Sequence, residues 1–419
     1  MEIREGYKKT DVGIIPKDWT VLNLASLATQ IGDIDHKMPD SVSTGVPYIM
    51  TGDFVGNNDM DFKNSKRISI EDYNKLSLKI KPQKGDIIFA RYASVGATRF
   101  VTTDQKFLVS YSCAIIKPKN IYNGAFIYYY FSSNAAKQEI DGLINNGTQK
   151  NIGIETLKNF KVILPPAIEQ QAIVSTLSDV DGLIASLTKL IDKKKNIKQG
   201  AMQQLLTGKK RLDGFSGDWV EVKLGDIGEI NGAGVDKKSN EYEIPVRLVN
   251  YLDVYRHDYI YSKMLHHCVT APQKQLNRCE VKKGDIFFTP TSEVSNDIGA
   301  SAVAMEDIPN AVYSYHVVRL RVNEDWNLTF RTHIFKTRHF LEQAETYCEG
   351  CGTRYVISQK RFREFTVKTP PTLAEQTAIA TVLSDMGNEI EALEQKLNKY
   401  KDIKQGMMQQ LLTGRVRLM

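Results

Sequence analysis

Residues 169–212 of this 419-residue chain recur as residues 375–418 at a constant offset of 206, and 24 of the 44 positions are identical. Leu177-Ser178-Asp179 returns as Leu383-Ser384-Asp385. Ile197-Lys198-Gln199-Gly200, followed by Met202-Gln203-Gln204-Leu205-Leu206-Thr207-Gly208, returns as Ile403-Lys404-Gln405-Gly406 followed by Met408-Gln409-Gln410-Leu411-Leu412-Thr413-Gly414. Chance does not make such a match, and the period is far too long for a solenoid. Fainter echoes extend the copy. Asp18-Trp19 and Leu24 return as Asp218-Trp219 and Leu224. Lys84-Gly85-Asp86 returns as Lys283-Gly284-Asp285, Tyr111-Ser112 as Tyr313-Ser314, Gly147-Thr148 as Gly352-Thr353, and Pro165-Pro166 as Pro370-Pro371. The offset of these echoes drifts, as small loop insertions cause. The chain is one unit written twice, each copy a variable part followed by a strongly repeated part.

The repeated part reads as one long helix. Ile173, Leu177, Val180, Ile184, Leu187 and Ile191 alternate spacings of four and three, the seam of a coiled coil. The second copy continues the pattern through Ile379, Leu383, Met386, Ile390, Leu393 and Leu397. Pro166 and Pro371 precede the helices, and Gly208 and Gly414 stand where a C-cap belongs. Gly200 and Gly406 lie inside the run at a cost to helicity. About 40 residues at 1.5 Å each make a rod of about 60 Å. Two seams in one chain most simply pack on each other, and the twofold relation of the halves favours an antiparallel pair. The competing arrangement packs each helix only on its own domain.

The variable parts hold short β-like runs bounded by turn residues, with helical patches between them. The expected fold class is therefore α+β: two α/β domains separated by two long helices forming an antiparallel coiled coil. The expected boundaries are 1–165, 166–212, 213–370 and 371–419.

Composition removes several classes. At 42% hydrophobic and 25% charged residues, the chain is neither disordered nor low-complexity. No apolar run reaches the roughly 18 residues of a membrane span, and the start shows no signal-peptide pattern. Five cysteines suit a reducing compartment better than a disulfide scaffold. Lys and Arg exceed Asp and Glu by 55 to 49, which permits a nucleic-acid partner without requiring one.

The duplicated plan and its strings resemble the specificity (S) subunits of type I restriction-modification systems, over essentially the whole chain. The strings are Ile15-Pro16-Lys17-Asp18-Trp19, the Lys-Gly-Asp of each variable part, and Pro-Pro, Glu-Gln and Leu-Ser-Asp entering each helix. Gln-Gly and Met-Gln-Gln-Leu-Leu-Thr-Gly leave it. The resemblance implies two target recognition domains held apart by the helix pair, each reading one half of a split sequence in double-stranded DNA. It implies docking of two methyltransferase (M) subunits on the helices, with restriction (R) subunits joining them in the cytoplasm. S-adenosylmethionine, ATP and Mg are expected on those partners and no cofactor in this chain. A stiff coiled coil suits such a reader, because B-DNA repeats every ~10.5 bp and half-site spacing follows from protein geometry.

Catalytic strings are missing. There is no Gly-x-x-x-x-Gly-Lys-[Ser/Thr] phosphate loop, no Gly-x-Gly-x-x-Gly after a strand, and no Gly-x-Ser-x-Gly elbow. The Asn/Asp-Pro-Pro-Tyr/Phe string of amino-methyltransferases is absent too, so the chain reads as non-enzymatic. Cys348-Glu349-Gly350-Cys351, with His333 and His339 upstream, has metal-like spacing. The first copy carries Leu143 and Asn146 at the cysteine positions, so ordinary thiols are expected. Two other readings stay open: the recognition part of another split restriction-methylase, and a coiled-coil adaptor whose domains bind protein.

Candidate DNA contacts are polar loop residues able to reach phosphates or base edges. One set follows the Lys-Gly-Asp strand: Arg91, Tyr92, Ser94, Thr98 and Arg99, with Thr289, Thr291, Ser292 and Asn296 in the second copy. Another set is Thr148, Gln149 and Lys150, with Thr353, Arg354 and Tyr355. A third is Thr51 and Asp53, with Asn250 and Tyr251. The competing reading of each is a solvated loop or a structural turn. The basic runs Lys193-Lys194-Lys195 and Lys209-Lys210-Arg211 read first as solvated faces.

Overall fold

The computed structural model describes residues 3–144, 150–352 and 354–418. The chain divides into two compact units, Met1–Thr188 with Lys396–Met419, and Lys189–Gln395. Each unit therefore contains one variable part and a portion of both long helices.

In the first unit the larger sheet is antiparallel, in the order Thr98–Phe100, Ile87–Ala90, Cys113–Pro118, Ala28–Gly32. A smaller sheet joins Leu108–Val109 in parallel to Val46–Ile49, which pairs with Lys66–Ile68 on its other side. Ile87-Ile88-Phe89-Ala90 is apolar throughout because the strand is covered on both faces. Its side chains alternate as a pleat requires. Ile87 and Phe89 enter a core with Phe126, Phe131, Phe160 and Ile173, while Ile88 enters another with Tyr48, Phe107 and Ile115. The helix Gly124–Phe131 is buried from Phe126 to Phe131, which explains its run of apolar and aromatic residues.

The second unit repeats the plan. Its larger sheet runs Gly228–Asn231, Val318–Val322, Ile286–Phe288, Ser301–Ala304, Tyr259–Ile260. Its smaller sheet runs Cys268–Ala271, Ile244–Val249, Ile308–Tyr313, Glu280–Val281. Again Ile286 and Phe288 face one core and Phe287 the other.

The long helices are Ala167–Leu205 and Leu373–Leu411, 39 residues each. Within each unit they pack on each other antiparallel. In the first unit Ile173 and Leu177 share a core with Leu411 and Leu412, and Lys404 pairs with Asp181 at 2.6 Å. In the second, Leu205 and Leu206 meet Ile379 and Leu383, and Lys194 pairs with Glu389 at 2.6 Å. Gly208 and Gly414 both have φ of +68°, the left-handed conformation of a helix C-cap.

Several repeated strings are explained by the fold. Glu169 and Glu375 are almost fully buried, each bound by a tryptophan and an arginine. Trp19 Nε1 donates to Glu169 at 3.0 Å, and Arg417 binds the same carboxylate at 2.7 and 2.8 Å. In the second unit Trp219 and Arg211 hold Glu375, the arginine at 2.5 and 2.7 Å. Gln170 and Gln376 accept from the N–H of Asn123 and Asn327, which cap the neighbouring helices. The Lys-Gly-Asp strings form turns: glycine takes a positive φ, and the carboxylates of Asp86 and Asp285 accept from the N–H of Gln83 and Lys282.

Candidate nucleic-acid interface

Hydrogen bonds fix which positions of the two copies are equivalent. Ser110 N–H donates to the Ile49 carbonyl, and Ser314 N–H donates to that of Val249, both at 2.9 Å. Ser110 and Ser314 carbonyls then accept from Cys113 and Val317. The structural echo is therefore Ser110-Tyr111-Ser112 with Ser314-Tyr315-His316, two residues away from the Tyr111-Ser112 and Tyr313-Ser314 match read from sequence. The local resemblance of two Tyr-Ser pairs hid this shift.

The same logic treats the loop after the Lys-Gly-Asp strand. Ile152 N–H donates to the Arg91 carbonyl as Ile357 N–H does to Pro290, and Tyr92 bridges Asn151 as Thr291 pairs with Val356. Gly96 closes onto Ala90 as Gly299 closes onto Thr289. The second loop is thus four residues longer than the first, and the extra length carries acidic residues.

Three candidates of the first domain lie inside it. Arg91 is 5% exposed, forms an ion pair with Asp33 and donates to the Ile152 carbonyl at 2.9 Å. Burial pushes the Asp33 carboxyl up, but Arg91, Lys79 and His36 together hold it below its usual range. Thr98 and Arg99 are also buried. The Arg99 guanidinium donates to the Asp59 and Thr98 carbonyls and lies over the Phe54 ring. Asp53 spends its carboxylate on the Met50 N–H, 2.8 Å away, and Asp253 does the same for Asn250. Tyr92 and Thr51 are half-buried, while Ser94 and Lys150 are exposed. Thr148, Gln149 and Thr353 lie outside the described residues.

In the second domain the three candidate sets converge. A cavity of about 580 Å³ is lined by Tyr251, Thr291, Ser292 and Arg354. Tyr255, Glu293, Asp297 and His316 join them, none of which is among the polar loop candidates of the sequence. Tyr251 stacks on Tyr255 with ring centres 5.8 Å apart, and Tyr255 Oη donates to Asp297 at 2.6 Å. His316 is held below its ordinary pKa by burial and then by Lys237 and Arg354. Exposed Tyr315 stands beside it. The signal that could have found this rim was the Ser-Tyr pair shared by both copies. Tyr355 is half-buried against the core, Asn250 forms the turn before Tyr251, and Thr289 is fully buried. Asn296 lines a different cavity beside Lys336 and Glu345.

Among the described residues no group of three or more His, Cys, Asp or Glu is placed to hold a metal ion. His333 is buried, the Cys348 thiol donates to the Glu345 carbonyl, and the Cys351 side chain lies outside the description. No helix among the described residues is long and apolar enough to cross a membrane.

Two units of one fold joined by two long repeated helices, with a polar cavity at the loops of the second, define a duplicated two-domain protein. The model of the type I restriction modification DNA specificity domain matches residues 16–199 and again 216–401, so the chain belongs to that family. It is a type I restriction-modification specificity subunit, the non-catalytic kind of subunit in such systems. The type I restriction enzyme MjaVIII specificity subunit of Methanocaldococcus jannaschii is 23% identical over 435 residues, covering 99% of this chain and 96% of that protein. The fold is similar to a type I S subunit from M. genitalium, with a TM-score of 0.55 at 16% identity, covering 98% of both chains. It is also similar to a chain solved in work on assembly and conformational transition of the type I system. There the TM-score is 0.60 at 14% identity, covering 96% of this chain and 99% of that one.

Proposed function

We propose that residues 1–165 and 213–370 are two target recognition domains, each reading one half of a bipartite site in double-stranded DNA. The helical parts, 166–212 and 371–419, set the spacer and dock two methyltransferase subunits, to which restriction subunits attach in the cytoplasm. S-adenosylmethionine, ATP and Mg belong to those partners. The base-reading positions are Thr51, Tyr92, Ser94, Gln149 and Lys150 in the first domain, and Tyr251, Thr291, Ser292 and Arg354 in the second.

One observation carries this reading. The positions most faithfully repeated on the long helices include exposed ones that the fold does not use, whereas the equivalent loop positions differ in chemistry. Ile197 and Ile403 are 46% and 39% exposed, and Gln204 and Gln410 are exposed in both copies. A Cβ at Gly200 or Gly406 would meet nothing within 4 Å, so nothing in the chain itself demands glycine there. Each unit also has a groove where this face meets a short helix. It is lined by Gln405, Met408 and Gln409 in the first unit and by Gln199, Met202 and Gln203 in the second. A surface kept identical twice suits two copies of one partner, and readers that differ suit two unlike half-sites.

The test is methylome sequencing of cells expressing this chain with its cognate methyltransferase subunit, against the methyltransferase alone. A split motif present only with this chain is expected, and replacing residues 1–165 should change one half-site only. Absence of new methylation, with soluble proteins that co-purify and no DNA binding in a gel shift, would overturn the reading.

A further inference from the structure

We infer that Glu293 and Arg354 together read a single G·C base pair in the half-site of the second recognition domain. The inference rests on the DNA-reading assignment above and names the residues and base pair.

The geometry begins with the two strands Thr291–Ser292 and Arg354–Val356. They pair antiparallel, with Thr291 opposite Val356 and Ser292 opposite Tyr355. Glu293 follows Ser292 and Arg354 precedes Tyr355, so both stand at the same end of that ladder. Both residues line the same cavity and both are exposed, and among the described residues neither side chain forms an ion pair or hydrogen bond. A cation and an anion that line one cavity and leave each other free are available to an outside ligand.

The loop that carries Glu293 is the one lengthened by four residues relative to the first domain. It is anchored beyond the glutamate by Asp297, which accepts from Tyr255. The stacked Tyr251 and Tyr255 rings support that anchor. A carboxylate facing a polyanion weakens binding unless it accepts a hydrogen bond. In the major groove the base-edge donors are the cytosine N4 and adenine N6 amino groups. Arginine needs acceptors, and its best match is the guanine O6 and N7 pair. Guanine paired to cytosine offers two acceptors beside one donor, which matches one guanidinium beside one carboxylate. The equivalent first-domain positions hold Ser94 and, by offset, Gln149. Their chemistry is different, and so the first half-site is read differently.

The experiment is methylome sequencing of cells carrying the methyltransferase subunit with the wild-type chain, Arg354→Gln, or Glu293→Gln. The wild-type motif is expected to contain a G·C pair in the half-site that survives replacement of residues 1–165. Each variant should relax that one position, lowering discrimination about 5- to 150-fold. The other half-site stays intact and reports that the variant folds. Relaxation at two different positions, or an unchanged motif, overturns the inference. So does a uniform loss across sequences with a salt slope smaller by about one, which marks a phosphate contact. Absence of any motif with the wild-type chain, together with soluble co-purifying proteins and no DNA binding in a gel shift, overturns the DNA reading itself, and the inference with it.

Discussion

Replacing Arg417 by alanine tests whether the buried glutamate clasp holds the first unit together. The guanidinium makes two hydrogen bonds to Glu169 and two to Asp18, the latter at 2.9 and 2.6 Å. The Glu169 side chain is 4% exposed, so the substitution leaves a carboxylate with only Trp19 Nε1 and the Leu418 N–H for company. Breaking a fully buried pair costs about 3–5 kcal/mol. Arg417 retains 22% of its side-chain surface, and water reaching it reduces the loss. The Asp18 side chain is half-exposed and adds no more than ~1 kcal/mol. The sum is about 2–4 kcal/mol. For a unit of roughly 200 residues that corresponds to a fall in melting temperature of about 5–15 °C. Calorimetry combined with hydrogen exchange should show early melting confined to the first unit, with lost protection around Trp19. Arg211→Ala should mirror this in the second unit, where Glu375 is the partner. A wild-type transition for Arg417→Ala, or equal losses in both units, would refute the clasp.

Three further outcomes are expected. Arg91→Ala should lower stability by about 3 kcal/mol, because Asp33 loses its buried partner, while leaving the methylated motif unchanged; a relaxed motif would make Arg91 a reader after all. His333 is pushed down to about 4 by burial, with Lys198 and Lys336 adding to it. Its folded value lies below its unfolded value of about 6.5, so stability is full above pH 6.5 and falls as pH drops toward 4, by about 3 kcal/mol at most. Denaturant titrations of His333→Asn should lack that part of the slope. Gly414→Ala should destabilise by about 1–3 kcal/mol, since φ is +68° and a Cβ would strike the Pro16 ring. Gly200→Ala and Gly406→Ala should instead raise stability by about 0.5–1 kcal/mol each. Those two should also weaken co-purification of the methyltransferase subunit, and undiminished capture would remove these glycines from the docking face.

The duplication, the two long helices and their C-caps were determined by local sequence. Heptad spacing and a terminal glycine act within a few residues, so no distant contact is needed to recognise them. The family was legible for the same reason. The reading surface was not. Arg91 looked like a reader because its loop is polar, yet its partner Asp33 lies 58 residues earlier in the chain. Thr98 and Arg99 are inside because Thr98–Phe100 pairs with Ile87–Ala90, a fact of sheet register. Arg354, Glu293, His316 and Tyr255 meet at one cavity only after four separate segments close on one another. Periodicity records which face of an element is apolar. Whether a polar side chain turns to solvent or to a buried partner depends on long-range pairing, and that only the tertiary structure decides.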